Sequence, residues 1–471
     1  MTNRIKTDLC IIGGGSGGLS VAAGAVQMGA DVVLVEGHKM GGDCLNYGCV
    51  PSKAMIAAGK HAHAMTTGRE FGVVPVAPKV DYAAAKDHVR SVIAGIEPHD
   101  SVERFEGLGV KVIEAFGTFI SPTELQAGDT VIEARRFVIS TGSSPFVPPT
   151  PGLDSVPHFT NEDIFELREQ PAHLIVIGGG PIGMELAQAH RRLGSEVTVL
   201  EGMKALGKDD PDAAAVVLDA IRAEGVNIVE GALASEVRGT AGKIEVETKD
   251  GTIYKGSHLL MAVGRKPNVD KLNLEAAGVE PVRGGIKVDA SLKTTNKKIF
   301  AIGDVAAGLQ FTHVAGYHAG VIIRSALFGL PSKQRTDHIP WATYTEPELA
   351  QVGLTEAQAR DAHGDKLDVV KFDYAENDRA RAELKTNGFV KVMVVKGKPV
   401  GATIAGAQAG ELIQVWALAI ANKMKMGAVA GMVSPYPTLG EVNKRAAGAY
   451  FTPRLFENDW VKRVVRFVQR F

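Results

Sequence analysis

Short apolar runs punctuated by glycine loops set the pattern of the first half of the chain. Thr7–Ile12 and Asp31–Val35 read as strands, with an Ala-rich helical segment between them. The same arrangement returns at Leu174–Ile177 and Glu196–Leu200, with a helix starting near Met184. Between the two copies, Asp81–Glu106 predicts one helix carrying Val89, Val92, Ile93 and Ile96 on a single stripe. Phe137–Ser140, Val226–Val237, Lys243–Thr248, Leu259–Val263 and Ile299–Ile302 predict further strands. The Pro-rich piece Pro145–Pro151 predicts a domain crossing. After His338 the texture changes to alternating segments such as Gly388–Lys396 and helices such as Glu411–Lys423, which predicts a separate α+β domain. The tail from Arg454 to Phe471 predicts an amphipathic helix. Trp460, Val464, Phe467 or Val468, and Phe471 fall at helical spacing, with Lys462, Arg463, Arg466 and Arg470 between them.

The loops between strand and helix carry chemistry. Gly13-Gly14-Gly15-Ser16-Gly17-Gly18 follows the first strand, and the second strand ends in Glu36. Strand, glycine loop, helix, strand and acid form the dinucleotide-binding fingerprint in its proper context. Gly13 makes the turn, Gly15 admits a pyrophosphate, Gly18 packs helix on strand, and Glu36 accepts from a ribose diol. The helix N-terminus supplies the positive end for the phosphates. The second copy presents Gly178, Gly180, Gly183 and Glu201, and both copies span the same 23 positions from first glycine to acid. Matching registers predict two related nucleotide-binding domains.

Composition narrows the class. At 471 residues the chain is too long for one ordinary core, and two to four domains are expected. With 45% apolar and 22% charged residues it has the profile of a soluble globular protein. A formal net charge of −1 argues against nucleic acid as the main partner. Asp8 and the Gly13–Gly18 run break what would be the apolar core of a targeting signal, and Lys423 and Lys425 cut the longest membrane-like stretch. Three cysteines are too few for a disulfide scaffold, so a reducing, cytoplasmic setting is expected.

Two of those cysteines, Cys44 and Cys49, sit in MGGDCLNYGCVPSKAMIAAG at Met40–Gly59, ahead of an Ala-rich helix. Helix N-terminal donors favour a thiolate and lower a cysteine pKa. The spacing suits a reversible disulfide, a two-thiolate metal site, or two inert thiols. Zinc normally takes four ligands, and there is no second Cys pair, so no metal site is assigned. Cys10, inside an apolar strand, reads as a small hydrophobe.

Together these residues resemble the pyridine nucleotide–disulfide oxidoreductases that include lipoamide dehydrogenase, glutathione reductase and mercuric reductase. The likeness covers essentially the whole chain, and its most specific element is GGDCLNYGCVPSK at Gly41–Lys53. It implies an α/β fold with two Rossmann-like, three-layer nucleotide-binding domains and a C-terminal α+β dimerisation domain. The FAD-binding domain would run over 1–150 and resume over 269–336, with an NAD(P)-binding domain over 151–268 and a dimerisation domain over 337–471. A homodimer is implied. So is an enzyme that passes electrons from NAD(P)H through FAD to a Cys44–Cys49 disulfide, and on to a small disulfide, a soft metal ion or another thiol-reactive acceptor. By position, Cys44 would be the interchange thiol, Cys49 the thiolate against the flavin, Lys53 the lysine near flavin N5, Glu185 its ion-pair partner, and Asp304 the acid on the ribitol. Gly42, Thr141, Gly142, Gly264, Arg265 and Gly303 complete the candidate cofactor contacts.

The chain departs from the lipoamide and glutathione pattern at one point. Where those enzymes carry a catalytic His paired with Glu, it has Tyr436, followed by Pro437, Thr438 and Glu441. A phenol with an ordinary pKa near ~10 cannot shuttle protons at neutral pH as an imidazole near ~6.5 can. Mercuric reductase also has a Tyr there, but adds a C-terminal Cys pair that this chain lacks. The pattern is closest to mercuric-reductase-like members. Dihydrolipoyl dehydrogenase is the rival activity, and a redox sensor or binding flavoprotein is a reading of another class. Glu201 favours NAD(H) over NADP(H), because a carboxylate repels a 2′-phosphate and accepts from a free 2′-hydroxyl. For the tail, membrane-surface contact and packing on the dimer are both open. His313 and His318, on the helix after Asp304, read as structural.

Overall fold

The computed structural model describes residues 3–471. Contacts divide the chain into two compact units, the first comprising 1–178, 189–198 and 234–334, the second 179–188, 199–233 and 335–471.

The first unit is built on a seven-stranded sheet. Strands β1 (Asn3–Ile12), β2 (Val32–Glu36) and β3 (Lys111–Glu114) lie side by side in parallel. On its other side β1 pairs in parallel with the last strand of the β4 (Gly117–Ser121), β5 (Glu124–Ala127), β6 (Thr130–Ile139) meander. The far edge of β6 is shared. Its first half pairs antiparallel with β5, and its second half pairs in parallel with Ile299–Ala301. Alternation along β1 explains why no polar face is needed. Cys10 and Ile12 point into one core with Phe119, Phe137 and Leu274, whereas Leu9 and Ile11 point into another with α1 (Ser16–Gln27). Cys10 is fully buried there, and burial pushes its thiol well up, as befits an inert apolar residue.

In the second unit a five-stranded antiparallel sheet runs in the order Pro340–Thr343, Glu348–Gly353, Lys398–Gly406, Phe389–Val395, Leu367–Asp373. Helices from Ala409 onward cover one face, with Trp416 at the centre of the core. The indole Nε1 donates to Asn443 Oδ1 at 2.7 Å, and Asn443 donates to the Leu412 carbonyl, so the buried polar atoms are satisfied.

Local chemistry broke three elements that periodicity alone had drawn as continuous. The predicted Asp81–Glu106 helix ends at Ile96, passes through a short turn containing Pro98, and restarts as Val102–Gly107 under a new cap, Ser101, whose hydroxyl accepts from the Arg104 N–H at 3.2 Å. The predicted strand Val226–Val237 is interrupted at Gly231, which sits at φ +73°, giving Asn227–Glu230 and Ala234–Thr240. Glu411–Lys423 becomes two helices, Ala409–Leu412 and Gln414–Ala421. The tail holds two helices, Thr452–Phe456 and Asp459–Val468, the latter capped by Asn458 accepting from Trp460 and Val461 N–H. Among the described residues no helix is long and apolar enough to cross a membrane.

Candidate active site

The first glycine loop is shaped by backbone crowding. Gly13 has φ +109°, and a Cβ there would lie 2.4 Å from the Ser140 carbonyl oxygen. A Cβ on Gly18 would strike the Gly13 carbonyl, so helix α1 packs directly on the loop. Gly15 is open, its nearest neighbour being the Gly42 Cα at 3.8 Å from a built Cβ. The Gly14 N–H donates to Glu36 at 2.5 Å, and the other Glu36 oxygen accepts from the His38 N–H at 2.7 Å. The second copy reproduces this arrangement. Gly178 has φ +113° and is backed by the Ala262 carbonyl, and Gly180 is open. The Glu201 oxygens accept from the Gly179 and Met203 N–H groups at 2.7 and 2.8 Å. Gly183 lies in the helix Pro181–Arg192. The internal repeat is therefore a repeat of hydrogen bonds as well as of spacing.

The cysteine segment is tied to the first loop. The Gly41 N–H donates to the Gly14 carbonyl at 2.9 Å, and a Cβ on Gly42 would meet Gly15 Cα at 2.7 Å. Gly42 is thus required by close backbone approach. Cys44 lies half-buried in α2 (Gly42–Asn46), and Cys49, the more exposed, is the first residue of α3 (Cys49–Thr66). Neither is engaged in a disulfide. Cys44 donates to Cys49, and that bond holds Cys49 down to about 6 against the opposing cost of burial. A hydroxyl contact from Thr312 at 3.3 Å and the positive charge of Lys53 assist. The same bond, together with burial, pushes Cys44 well up. In the reduced pair Cys49 is the thiolate and Cys44 the thiol.

A polar network continues from this segment. Asp43 receives Arg265 Nη2 at 3.0 Å and Asn161 Nδ2 at 3.1 Å. Arg265 also donates to the Ser143 hydroxyl at 2.7 Å and the Ser143 carbonyl at 2.6 Å, and Ser143 donates to Asp304 at 2.7 Å. Burial raises the Asp304 carboxyl above its ordinary value, partly offset by Ser143 and Arg265. Thr141 and Gly142 are fastened to Asn268 by three hydrogen bonds, and the Gly264 carbonyl accepts from Phe146. The Gly303 N–H donates to Nδ1 of buried His318, whose Nε2 pairs with Gln334 at 2.8 Å, so this histidine supports the loop beneath Asp304. Among the described residues no cluster of three or more metal-type ligands occurs.

In the second unit Glu185 is buried and accepts from the Tyr344 N–H at 2.9 Å. Tyr436 is 69% exposed and donates its hydroxyl to Asp378 at 3.0 Å. That bond and the charge of Asp378 push the phenol further up, away from any role as a base near neutrality. Glu441 occupies the first turn of the helix Glu441–Ala449. Asp378 is itself positioned by Asn377, which caps its helix and donates to the Thr438 carbonyl at 3.1 Å. Asp43, Ser143, Asn161, Thr312 and Asp378 were not singled out by sequence. Only Asp43 lies inside a motif.

The open loops, the acid at the end of each second strand, the half-buried acid after Ile299–Ala301 and the cysteine pair fit two nucleotide cofactors and a redox dithiol, the equipment of a flavoprotein disulfide reductase. Comparison with known proteins agrees. Residues 7–319 match the family described as pyridine nucleotide-disulphide oxidoreductase, and 339–447 match its dimerisation domain. The chain belongs to this family, which is FAD-dependent and uses a pyridine nucleotide, and the dimerisation domain supports a homodimer. It is 36% identical to a Bacillus cereus mercuric reductase over 447 residues, covering 93% of this chain and 70% of the relative. It is 34% identical to a Staphylococcus aureus dihydrolipoyl dehydrogenase over 465 residues, covering 94% and 96%. Among solved structures, LpdA from Mycobacterium tuberculosis has a TM-score of 0.86 at 28% identity, covering 95% of this chain and 99% of that one. A Cu(II) complex of the HOCl-induced flavoprotein disulfide reductase RclA from Escherichia coli has a TM-score of 0.84 at 27% identity, covering 94% and 99%.

Proposed function

We propose that the protein is a homodimeric reductase that draws on NADH, in preference to NADPH, to reduce a Cys44–Cys49 disulfide and delivers the electrons to a soft metal ion or another thiol-reactive acceptor. The observation that carries this reading is the pair of unbridged cysteines, Cys44 and Cys49, fastened to the first glycine loop through Gly41 and Gly42. FAD, when bound, would supply the two-electron step between nicotinamide and disulfide. The residues fitted to hold it are Gly13, Gly15, Gly18, Glu36, Gly42, Thr141, Gly142, Gly264, Arg265, Gly303 and Asp304, with Lys53 beside the Cys49 thiolate. Gly178, Gly180, Gly183 and Glu201 would hold the pyridine nucleotide. Reduction of the disulfide takes two electrons and one proton, leaving Cys49 as thiolate and Cys44 as thiol.

The acceptor class follows from where protons can go. An organic disulfide leaves as a thiol and needs a proton donor that cycles near neutrality. Tyr436, held to Asp378, is a poor one. A soft metal ion can take both sulfurs as thiolates, and solvent accepts the protons. The Cu(II) complex of RclA and the mercuric reductase relatives are consistent with this chemistry. Dihydrolipoyl dehydrogenase stays the second reading, because the Staphylococcus aureus relatives of that name align over nearly their whole length. A redox sensor with little turnover is the third, motivated by the missing His.

Anaerobic titration with NADH, followed by steady-state assays with mercuric and cupric ions, oxidised glutathione, and dihydrolipoamide with NAD, separates them. A long-wavelength thiolate band and metal-dependent NADH oxidation are expected. Fast dihydrolipoamide turnover would select the second reading, and band formation without turnover on any acceptor the third.

Glu201, as the proposed acceptor for the ribose, would repel a 2′-phosphate. Glu201→Ser is expected to lower the NADH-over-NADPH preference in kcat/KM by about tenfold, on the order of 1.4 kcal/mol. An unchanged ratio would remove Glu201 from the specificity assignment.

The tail reading sharpens as well. Phe456, Trp460, Phe467 and Phe471 are 60–99% exposed, and within the helix Asp459–Val468 the cations Lys462, Arg463 and Arg466 lie on the arc away from Val464. We assign it weak contact with an anionic membrane surface. The intact protein is expected to co-sediment with anionic vesicles at low salt, whereas a version ending at Pro453 is not. Equal sedimentation would leave packing on the dimer as the role.

A further inference from the structure

A cavity of about 340 Å³ lies in the first unit, lined by Arg135, Arg136, Lys293, Lys297, Lys298 and Ser325. Its position follows from strand order. Arg135 and Arg136 come from the middle of β6, and the three lysines come from the segment that enters Ile299–Ala301, the short parallel strand beside β6. Gly303 and Asp304 follow the opposite end of that strand. The cavity is therefore set off from the first glycine loop by the length of a strand segment, roughly 15 Å at ~3.3 Å per residue. None of its residues serves the chemistry proposed above, and the site goes beyond that reading.

Five cations in one concavity repel each other unless something neutralises them. The protein supplies two carboxylates. Asp8 accepts from Arg135 at 3.2 Å, and Asp289 pairs with Lys297 at 3.5 Å. Among the described residues, the side chains of Arg136, Lys293 and Lys298 have no carboxylate partner, in a chain whose net charge is −1. Arg136 and Lys293 are half-buried, where an unmatched charge costs more than at an open surface. Ser325, whose hydroxyl donates to the Ile322 carbonyl at 3.3 Å, comes from a single π-helical turn, Ile323–Leu327, a feature often found at functional sites. The Phe300 ring at the base is 1% exposed, and Lys293 Nζ lies 6.0 Å from its centroid, so the ring supports that lysine and recognition would rest on charge and hydrogen bonding. Three unmatched cations call for an anion with several charges close together, and the volume accommodates one of triphosphate size.

We propose that this cavity is a regulatory site for a small polyphosphate, either inorganic or the phosphate tail of a nucleoside triphosphate. Arg and Lys at such a site give charge-assisted contacts, with Arg able to bind two oxygens at once. Calorimetry on the FAD-loaded enzyme, saturated with NAD to fill the second glycine loop, tests it with inorganic tripolyphosphate, ATP and orthophosphate. Tripolyphosphate and ATP are expected to bind alike, with a Kd on the order of 0.1 mM, and orthophosphate at least about tenfold more weakly. Affinity should fall as salt rises. Lys298→Glu and Arg136→Ser should each weaken tripolyphosphate by about tenfold while leaving NADH reduction of the flavin unchanged. Lys298 is exposed, so at least that variant folds. The proposal is overturned if tripolyphosphate fails to saturate, if its affinity ignores both substitutions, or if orthophosphate binds equally well. ATP binding without tripolyphosphate binding would mean a base is being read, and tighter binding of duplex DNA would mean a nucleic-acid surface. Either result also removes it.

Discussion

Cys44→Ser is expected to abolish delivery of electrons to any acceptor, lowering NADH-dependent turnover by on the order of 10³-fold or more, while NADH still reduces the flavin. The asymmetry between the two sulfurs carries this expectation. Cys49 is favoured as the thiolate and Cys44 as the thiol; with Cys44 as the proposed interchange thiol, its loss would remove the group that reaches the acceptor but leave a hydroxyl able to donate to Cys49. Cys49→Ser should lose both turnover and the long-wavelength band. The pH dependence has a definite sign. A thiol ordinarily ionises near ~8.5, and Cys49 is held down to about 6 by the bond from Cys44. The stabilisation that the thiolate gives the folded, reduced protein is present above the ordinary value and is lost as pH falls through about 6. Band intensity in the parent protein should therefore titrate at about 6 rather than near ~8.5. Titration near the ordinary thiol value, or full turnover in Cys44→Ser, would sink the assignment of roles.

What could be read from the sequence was what lies close together in it. Gly13 to Glu36, Gly178 to Glu201 and Cys44 to Lys53 are local motifs, because a glycine turn, a helix N-terminus and a strand-end acid are neighbours along the chain. The supporting groups are not. Ser143 meets Arg265 across 122 positions, and Asn161 meets Asp43 across 118. Neither Ser143 nor Asn161 stands in a pattern that marks it. The partner of Tyr436 shows the same limit: its hydroxyl is bonded to Asp378, 58 positions away and outside the motif that holds Tyr436 and Glu441. In the fold, the β1 run and the change of texture after His338 were legible, since buried strands and alternating strands differ in their apolar spacing. The breaks at Pro98 and Gly231 followed from turn chemistry, which a stripe of apolar residues over a longer window hides.

Lys391→Met should be the most destabilising single change outside the active site, costing about 3–5 kcal/mol. Lys391 lies within the strand Phe389–Val395 and is almost wholly buried, a place where periodicity calls for an apolar side chain. It is held by three carboxylates, Asp210 at 3.0 Å, Asp212 at 2.7 Å and Glu356 at 2.9 Å. The first is 1% exposed and also caps the helix Pro211–Ala223, accepting from the Asp212 and Ala213 N–H groups. Removing the lysine leaves that carboxylate buried without its counter-charge, and the loss of the pair is felt through the penalty on the survivor. The double variant Lys391→Met with Asp210→Asn should recover much of the stability, since an amide can keep accepting at the cap without needing a cation. Acid dependence supplies a second readout. The hydrogen bond from Lys391 lowers Asp212, and for Glu356 burial is outweighed by Lys391 and Arg360. Carboxyls lowered in the folded state stabilise it above their unfolded pKa, near ~4, and that contribution is lost as pH falls through the folded values. The parent protein should thus lose more stability between neutral pH and acid than Lys391→Met does. Urea unfolding followed through the emission of buried Trp416, at neutral pH and in acid, measures both effects. A loss below about 1 kcal/mol at neutral pH would mean that water or a shifted side chain replaces the lysine, and that the cluster behaves as an exposed ion pair.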